Sequence, residues 1–265
     1  MLLYCGTLNA PRRETTFLKD ISEMNEQLTV VQDGRLLRIT FNRPDDNGVS
    51  DSMAAAFSAA ILDAHTTSDA VLLRSIGPDF CTARVRDAAG APPAEAYARR
   101  PEYDAIFNSY RAVRGAQVPI IAAIEGRAMG YGMAIAALCD VSFASDSATF
   151  NIPEIAHNVM PTMVTSALYD RVNRNAILWM AYSADFIDAA RAMALGIVST
   201  VVPAAQLDHE VDRFCQLLLS RPRPAILGLK EYLRSAPRMD DHGAIDYARS
   251  LHSIVNTSAA MKKPA

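Results

Sequence analysis

The chain has 265 residues and a mass of 28.8 kDa, half hydrophobic and 21% charged, which fits one large globular domain or two small ones. Its 26 Lys+Arg against 29 Asp+Glu leave a formal charge of −3, which excludes the strongly basic footprint of a nucleic-acid binder. The richest apolar stretch, residues 118–124, is far short of the ~18 residues a membrane span needs.

Cys5, Cys81, Cys139 and Cys215 form no C-x-x-C pair, so neither a zinc knuckle nor a redox dithiol is expected. Four unframed thiols suit a reducing compartment, and a cytoplasmic location with no membrane or nucleic-acid partner is the expectation. Residues 1–27 read as an N-terminal arm. Its apolar start is too short for a signal-peptide core, and Arg12 and Arg13 give only a faint transit-peptide flavour.

An Asp33-Gly34 turn between residues 28–32 and 35–41 predicts a β-hairpin. Ser50 or Asp51 then caps a helix running to about His65, with Met53, Phe57, Ala60 and Ile61 at helical spacing. Residues 70–75 read as a buried strand stopped by Gly77-Pro78. Residues 84–101, rich in Ala, Arg and Pro, read as a surface loop before a helix over 102–116 and a strand over 119–124. After a glycine-bearing turn an all-apolar helix over 133–138 is expected, then strands at 141–144 and 149–151. Helices near 164–172, 176–182 and 189–195 lead to a strand over 197–202. From residue 204 onward helices dominate. The pattern predicts an α/β core over 28–203 with a helical region over 204–265.

Gly126-Arg127-Ala128-Met129-Gly130-Tyr131-Gly132 leaves a strand and opens a helix, where unpaired N–H groups and the dipole favour negative charge. It matches neither G-x-G-x-x-G nor a P-loop, and a tight structural turn explains it equally well. The five histidines form no ligand pattern, so no metal is expected. No G-x-S-x-G elbow is present. Glu154 follows a proline among Ile152, Ile155, Val159 and Met160; it reads either as an exposed loop acid or as a carboxylate held in an apolar pocket for a role.

From about residue 28 to 236 the chain resembles the crotonase, or enoyl-CoA hydratase/isomerase, superfamily. The likeness is carried by Asn42-Arg43-Pro44, by Gly77 to Arg84 (similar to G-x-x-F-[CS]-A-G-A), and by Pro119 to Gly132 (similar to P-V-I-A-A-V-N-G-x-A-x-G-G-G). Cys139-Asp140, Ala148-Thr149-Phe150, Pro153-Glu154-Ile155 and residues 190–203 continue it in the same order.

The resemblance implies a crotonase-like spiral of ββα units with a C-terminal helical trimerisation layer, giving a homotrimer or a dimer of trimers. It implies an acyl-CoA substrate, no cofactor beyond the coenzyme A of that thioester, and an oxyanion hole made by the backbone N–H groups of Arg84 and Tyr131. Glu154 takes the place of one family glutamate. The other family glutamate is here Ala134, which is not titratable. Ala83, Gly130 and Thr162 border the implied acyl site, while Arg84, Arg86 and Lys230 are candidates for the CoA phosphates. With a single carboxylate, enoyl-CoA isomerisation is the expected chemistry. Hydration, thioester hydrolysis, C–C cleavage, decarboxylation and a non-catalytic acyl-CoA-binding role stay open.

Overall fold

A computed structural model describes residues 26–85 and 95–262. The predicted arm, apart from its last two residues, and Arg86 lie outside the described residues. The Asp-Gly turn does what its chemistry dictates: β1 (Leu28–Asp33) and β2 (Leu36–Phe41) pair antiparallel with Leu28 opposite Phe41, and Gly34 takes φ +58°. β3 (Ala70–Ser75), β4 (Ile120–Ile124), β6 (Val141–Ser145) and β9 (Thr200–Val202) extend this sheet in parallel, in the order β1-β2-β3-β4-β6-β9. β4, in the middle of the sheet, is apolar throughout and fully buried because both its faces are covered.

A second, small sheet holds β5 (Arg127–Met129), β7 (Thr149–Asn151) and β8 (Ile187–Asp188). The chain gives one strand to the large sheet and the next to the small one, β4 then β5 and β6 then β7, before a helix closes each turn. A parallel bridge between Cys81 and Ala128 adds the preceding turn to the small sheet. This is the predicted ββα spiral.

One face of the large sheet packs on α1 (Asp51–Thr67), α2 (Asp104–Gly115) and α3 (Tyr131–Leu138), which share its main apolar core. Ser50 caps α1, its hydroxyl accepting from Met53 N. The other face packs Leu36, Leu72, Ile121 and Phe143 against Leu207, Val211 and Cys215 of α7 (Leu207–Leu219). Between them in sequence come α4 (Thr162–Leu168), α5 (Arg174–Ser183) and α6 (Ala189–Ala194). The last helices are α8 (Arg223–Ser235) and α9 (Asp241–Thr257).

Several expectations are corrected. The glycine-bearing turn contains a strand, β5, and α3 begins two residues early, at Tyr131. The end of the predicted 84–101 loop is a 3₁₀ helix over Tyr97–Tyr103 leading straight into α2. The strand expected over 197–202 pairs only from Thr200.

Candidate active site

Two segments far apart in sequence meet at the end of α3. Met129 N donates to Cys81 O (2.9 Å), and Phe80 N and Cys81 N share Arg127 O (3.1 Å each). The approach requires glycine at 132: a Cβ there would overlap the Cys81 carbonyl oxygen and stand 2.8 Å from its Cβ. Asp79, nearly buried, reinforces the junction by accepting from Arg127 N, Nε and Nη2 at 2.7–3.0 Å. Asn47, buried and left-handed at φ 45°, donates its amide to both Ile76 O and Asp79 O. These side chains fix the loop that carries the first predicted donor, a role that no local pattern in the sequence gives them.

Downstream, the backbone of residues 83–85 runs beside Val49. Val49 N donates to Ala83 O (2.9 Å) and Val85 N to Val49 O (3.0 Å). In such a parallel bridge the N–H of the middle residue, Arg84, points the other way. Tyr131 is the first residue of α3, so its N–H has no intrahelical acceptor. Among the described residues neither N–H has a hydrogen-bond acceptor. Ala83 and Tyr131 both keep negative φ, so replacing family glycines at these positions strains nothing; the special conformation falls on Gly130, φ +48°.

Glu154 begins a 3₁₀ helix, Glu154–His157, that Asn158 closes in the left-handed region. Its carboxylate lies against Gly130: a Cβ on that glycine would be 2.7 Å from Glu154 Oε1. The acid therefore sits at the N-terminal end of α3, against the residue that precedes Tyr131. Its Oε2 is buried without a hydrogen-bond partner among the described residues. Desolvation raises its pKa above the ordinary glutamate value, against smaller opposing effects of its own backbone N–H and of His157. Ala134, one turn along α3 from Tyr131, is fully buried and offers no second acid.

The apolar surround expected for Glu154 is only partly present. Ile152 is buried, but Ile155 and Met160 are 39% and 76% exposed, so they do not wall the acid within one chain. Thr162, exposed, starts α4, which packs against α3.

The basic candidates are also redistributed. The Arg84 guanidinium is committed to Asp51 (2.9–3.1 Å) and to Glu102 O, and lies over the Tyr103 ring, so its side chain ties the loop to α1 and α2. Lys230 Nζ donates to both carboxylate oxygens of Asp140, at 2.7 and 2.6 Å. Asp140 follows the C-terminal end of α3, about 12 Å of helix from Tyr131, so one chain does not bring Lys230 to Glu154. Asp140 also accepts from Ile120 N (2.8 Å), which explains an acid at an electrostatically unfavourable helix end. Cys81 lies at the junction, but burial pushes its thiol up to about 12, which excludes it as a nucleophile at neutral pH. No cluster of potential metal ligands exists among the described residues.

Comparison with known proteins gives this geometry a family. Residues 32–264 match the family model described as enoyl-CoA hydratase/isomerase. A probable enoyl-CoA hydratase of Mycobacterium tuberculosis is 33% identical over 238 residues, 88% of this chain and 91% of that one. The human enoyl-CoA hydratase domain-containing protein 3, mitochondrial, is 31% identical over 145 residues; the match spans 54% of this chain and about half (47%) of that relative. The crystal structure of a putative enoyl-CoA hydratase from Thermobifida fusca YX in complex with acetoacetyl-CoA superposes with a TM-score of 0.79 at 27% identity, covering 89% of this chain and 96% of that one. The chain belongs to the enoyl-CoA hydratase/isomerase family.

Proposed function

We propose that the protein acts on acyl-CoA thioesters by enolate chemistry with Glu154 as its single base, most simply as an enoyl-CoA isomerase. One observation carries the reading: a desolvated carboxylate with one buried oxygen unpartnered, set against Gly130 where α3 begins, with alanine one turn further on. Glu154 takes the α-proton of a 3-enoyl thioester. The thioester oxygen gains negative charge and is held by the N–H groups of Arg84 and Tyr131, a pairing worth ~3 kcal/mol per donor in comparable sites. Glu154 then returns the proton at the γ-carbon, moving the double bond into conjugation. A raised pKa suits a group that must both accept and release a proton. The reaction needs no cofactor besides the CoA carried by the substrate. The acyl-CoA complex of the Thermobifida relative supports the substrate class.

A second reading, hydration of 2-enoyl thioesters, is favoured by the hydratase names of the relatives. It asks Glu154 alone to hold the water that two carboxylates would otherwise share, which lowers the expected rate by 10²–10⁴-fold, roughly. Double-bond migration in 3-enoyl-CoA and hydration of 2-enoyl-CoA, measured on the same preparation, separate the two. Migration faster than hydration, with Glu154→Gln slowing it at least ~10³-fold at near-normal thioester affinity, is the expected result. Hydration above ~10³ per second by the unmodified protein sinks the isomerase preference. Full activity in Glu154→Gln removes Glu154 as the base.

A further inference from the structure

Any residue other than proline supplies a backbone N–H, so a donor at position 84 needs no particular side chain. Here it comes with an arginine whose Nε and Nη2 donate to Asp51 at 2.9–3.1 Å, while Nη2 also donates to Glu102 O at 2.8 Å. The guanidinium lies over the Tyr103 ring, 5.2 Å from its centre. Asp51 is the first residue of α1, where the helix dipole favours a carboxylate, and Glu102 and Tyr103 end the 3₁₀ helix before α2. The pair is shielded from water: the Arg84 side chain is 15% exposed and that of Asp51 33%.

These contacts complete a two-point hold on one peptide plane. Across a trans peptide the Ala83 carbonyl and the Arg84 N–H lie in one plane and point in opposite directions. The Ala83 carbonyl accepts from Val49 N (2.9 Å), which sets the plane at one edge. Rotation about that hydrogen bond swings the N–H, and a side chain anchored to Asp51, two residues after Val49, resists it at the Arg84 Cα. The start of α1 thus holds both the backbone and the side chain of the residue that carries the donor. The hold matters because an ångström of misplacement costs a catalytic site as much as ~10²-fold in rate.

We propose that Asp51 is a positioning residue: through the Arg84 guanidinium it fixes the direction of the Arg84 N–H that meets the thioester oxygen. The proposal rests on the oxyanion hole of the reading above and adds what sets its geometry. A direct electrostatic role of the guanidinium differs in sign. Removing Asp51 would then leave an uncompensated cation and strengthen the pull on the oxygen, whereas removing the guanidinium would weaken it. Positioning makes both variants fail alike.

Difference infrared spectroscopy of carbonyl-¹³C butanoyl-CoA tests it, because hydrogen bonds to a thioester oxygen lower the C=O stretching frequency. The unmodified protein is expected to lower the band relative to the free ester. Asp51→Ala and Arg84→Met are each expected to return it toward the free value, with the calorimetric Kd for butanoyl-CoA changed less than ~3-fold. The kcat for migration or hydration, whichever the unmodified protein performs, is expected to fall ~10–10²-fold, short of the loss of a donor outright. The double variant is expected to go no further than either single one, since both remove the same pair. Arg84→Met keeps the aliphatic stem and carries the test alone where Asp51→Ala does not fold. A folded variant that keeps the band of the unmodified protein overturns the proposal. So do shifts of opposite sign in the two variants, or a larger shift in the double variant. If the unmodified protein does not bind the ester, or binds it without lowering the band, the oxyanion-hole reading itself falls and the proposal with it.

Discussion

At the scale of single residues, Glu154 is held in a state that costs stability. Its folded pKa is raised, so the stability it contributes is fully present below its unfolded value, near 4.5, and is lost as pH rises through the folded one. At neutral pH the ionised carboxylate, with Oε2 unpartnered, opposes folding. The acidic limb of the pH–rate profile for kcat/KM is accordingly expected above pH 4.5, and Glu154→Gln, which has no charge to bury, is expected to melt no lower than the unmodified protein at pH 7 and to abolish that limb. A limb below 4.5 together with a destabilised Gln variant would contradict this account. Glu154 also shows where sequence stops short: among apolar neighbours it reads equally as an exposed loop acid, and only its buried, unpartnered Oε2 and its approach to Gly130 separate the two readings.

At the scale of elements, strands and helices were legible where one pattern decided the matter. Asp33-Gly34 set the hairpin, Ser50 set the start of α1, and the unbroken apolar run of β4 marked a strand covered on both faces. β5 was not legible, because three residues with only Ala128 buried carry no period, and they become a strand by pairing with β7. The Asp79–Arg127 clamp bridges 48 positions in sequence and leaves no local trace. Ile155 and Met160 looked like pocket wall because composition marks a residue as apolar without saying what covers it. The site depends on the contact of α3 with the Cys81 segment, where Gly132 leaves no space for a methyl group. Gly132→Ala must push α3 away from Cys81 and widen the distance between the Arg84 and Tyr131 N–H groups. Overpacking of this kind costs about 1–3 kcal/mol. The expected outcome is a fall in kcat larger than the rise in KM, because the hole acts on charge formed in the transition state, with a Tm lowered by a few degrees. Wild-type kcat in a folded Gly132→Ala protein would mean that the two segments do not form the hole.

At the scale of the whole molecule, ion pairs anchor the C-terminal layer to the spiral. Asp69, buried before β3, is gripped by Arg35 and by Arg223 at the start of α8, and Lys230, about two turns later, holds Asp140. Beyond these anchors α8 exposes Leu229 and Leu233, which are 62% and 60% accessible and one turn apart on one face of the helix. Trp179 and Tyr182 of α5 stand similarly exposed. Leaving such side chains in water forgoes ~1.5–3 kcal/mol each, more than a 265-residue chain needs to give up if copies of itself can cover them. We therefore propose that the protein assembles through this layer as the trimer, or dimer of trimers, that its family resemblance implies. Light scattering coupled to gel filtration is expected to give three or six copies at micromolar concentration. Leu229→Glu combined with Leu233→Glu places two carboxylates where apolar area is to be buried, so that variant is expected to run as a smaller species with its circular dichroism unchanged. A monomeric unmodified protein at that concentration would refute the assembly, and an unchanged oligomer in the double variant would move the interface away from α8.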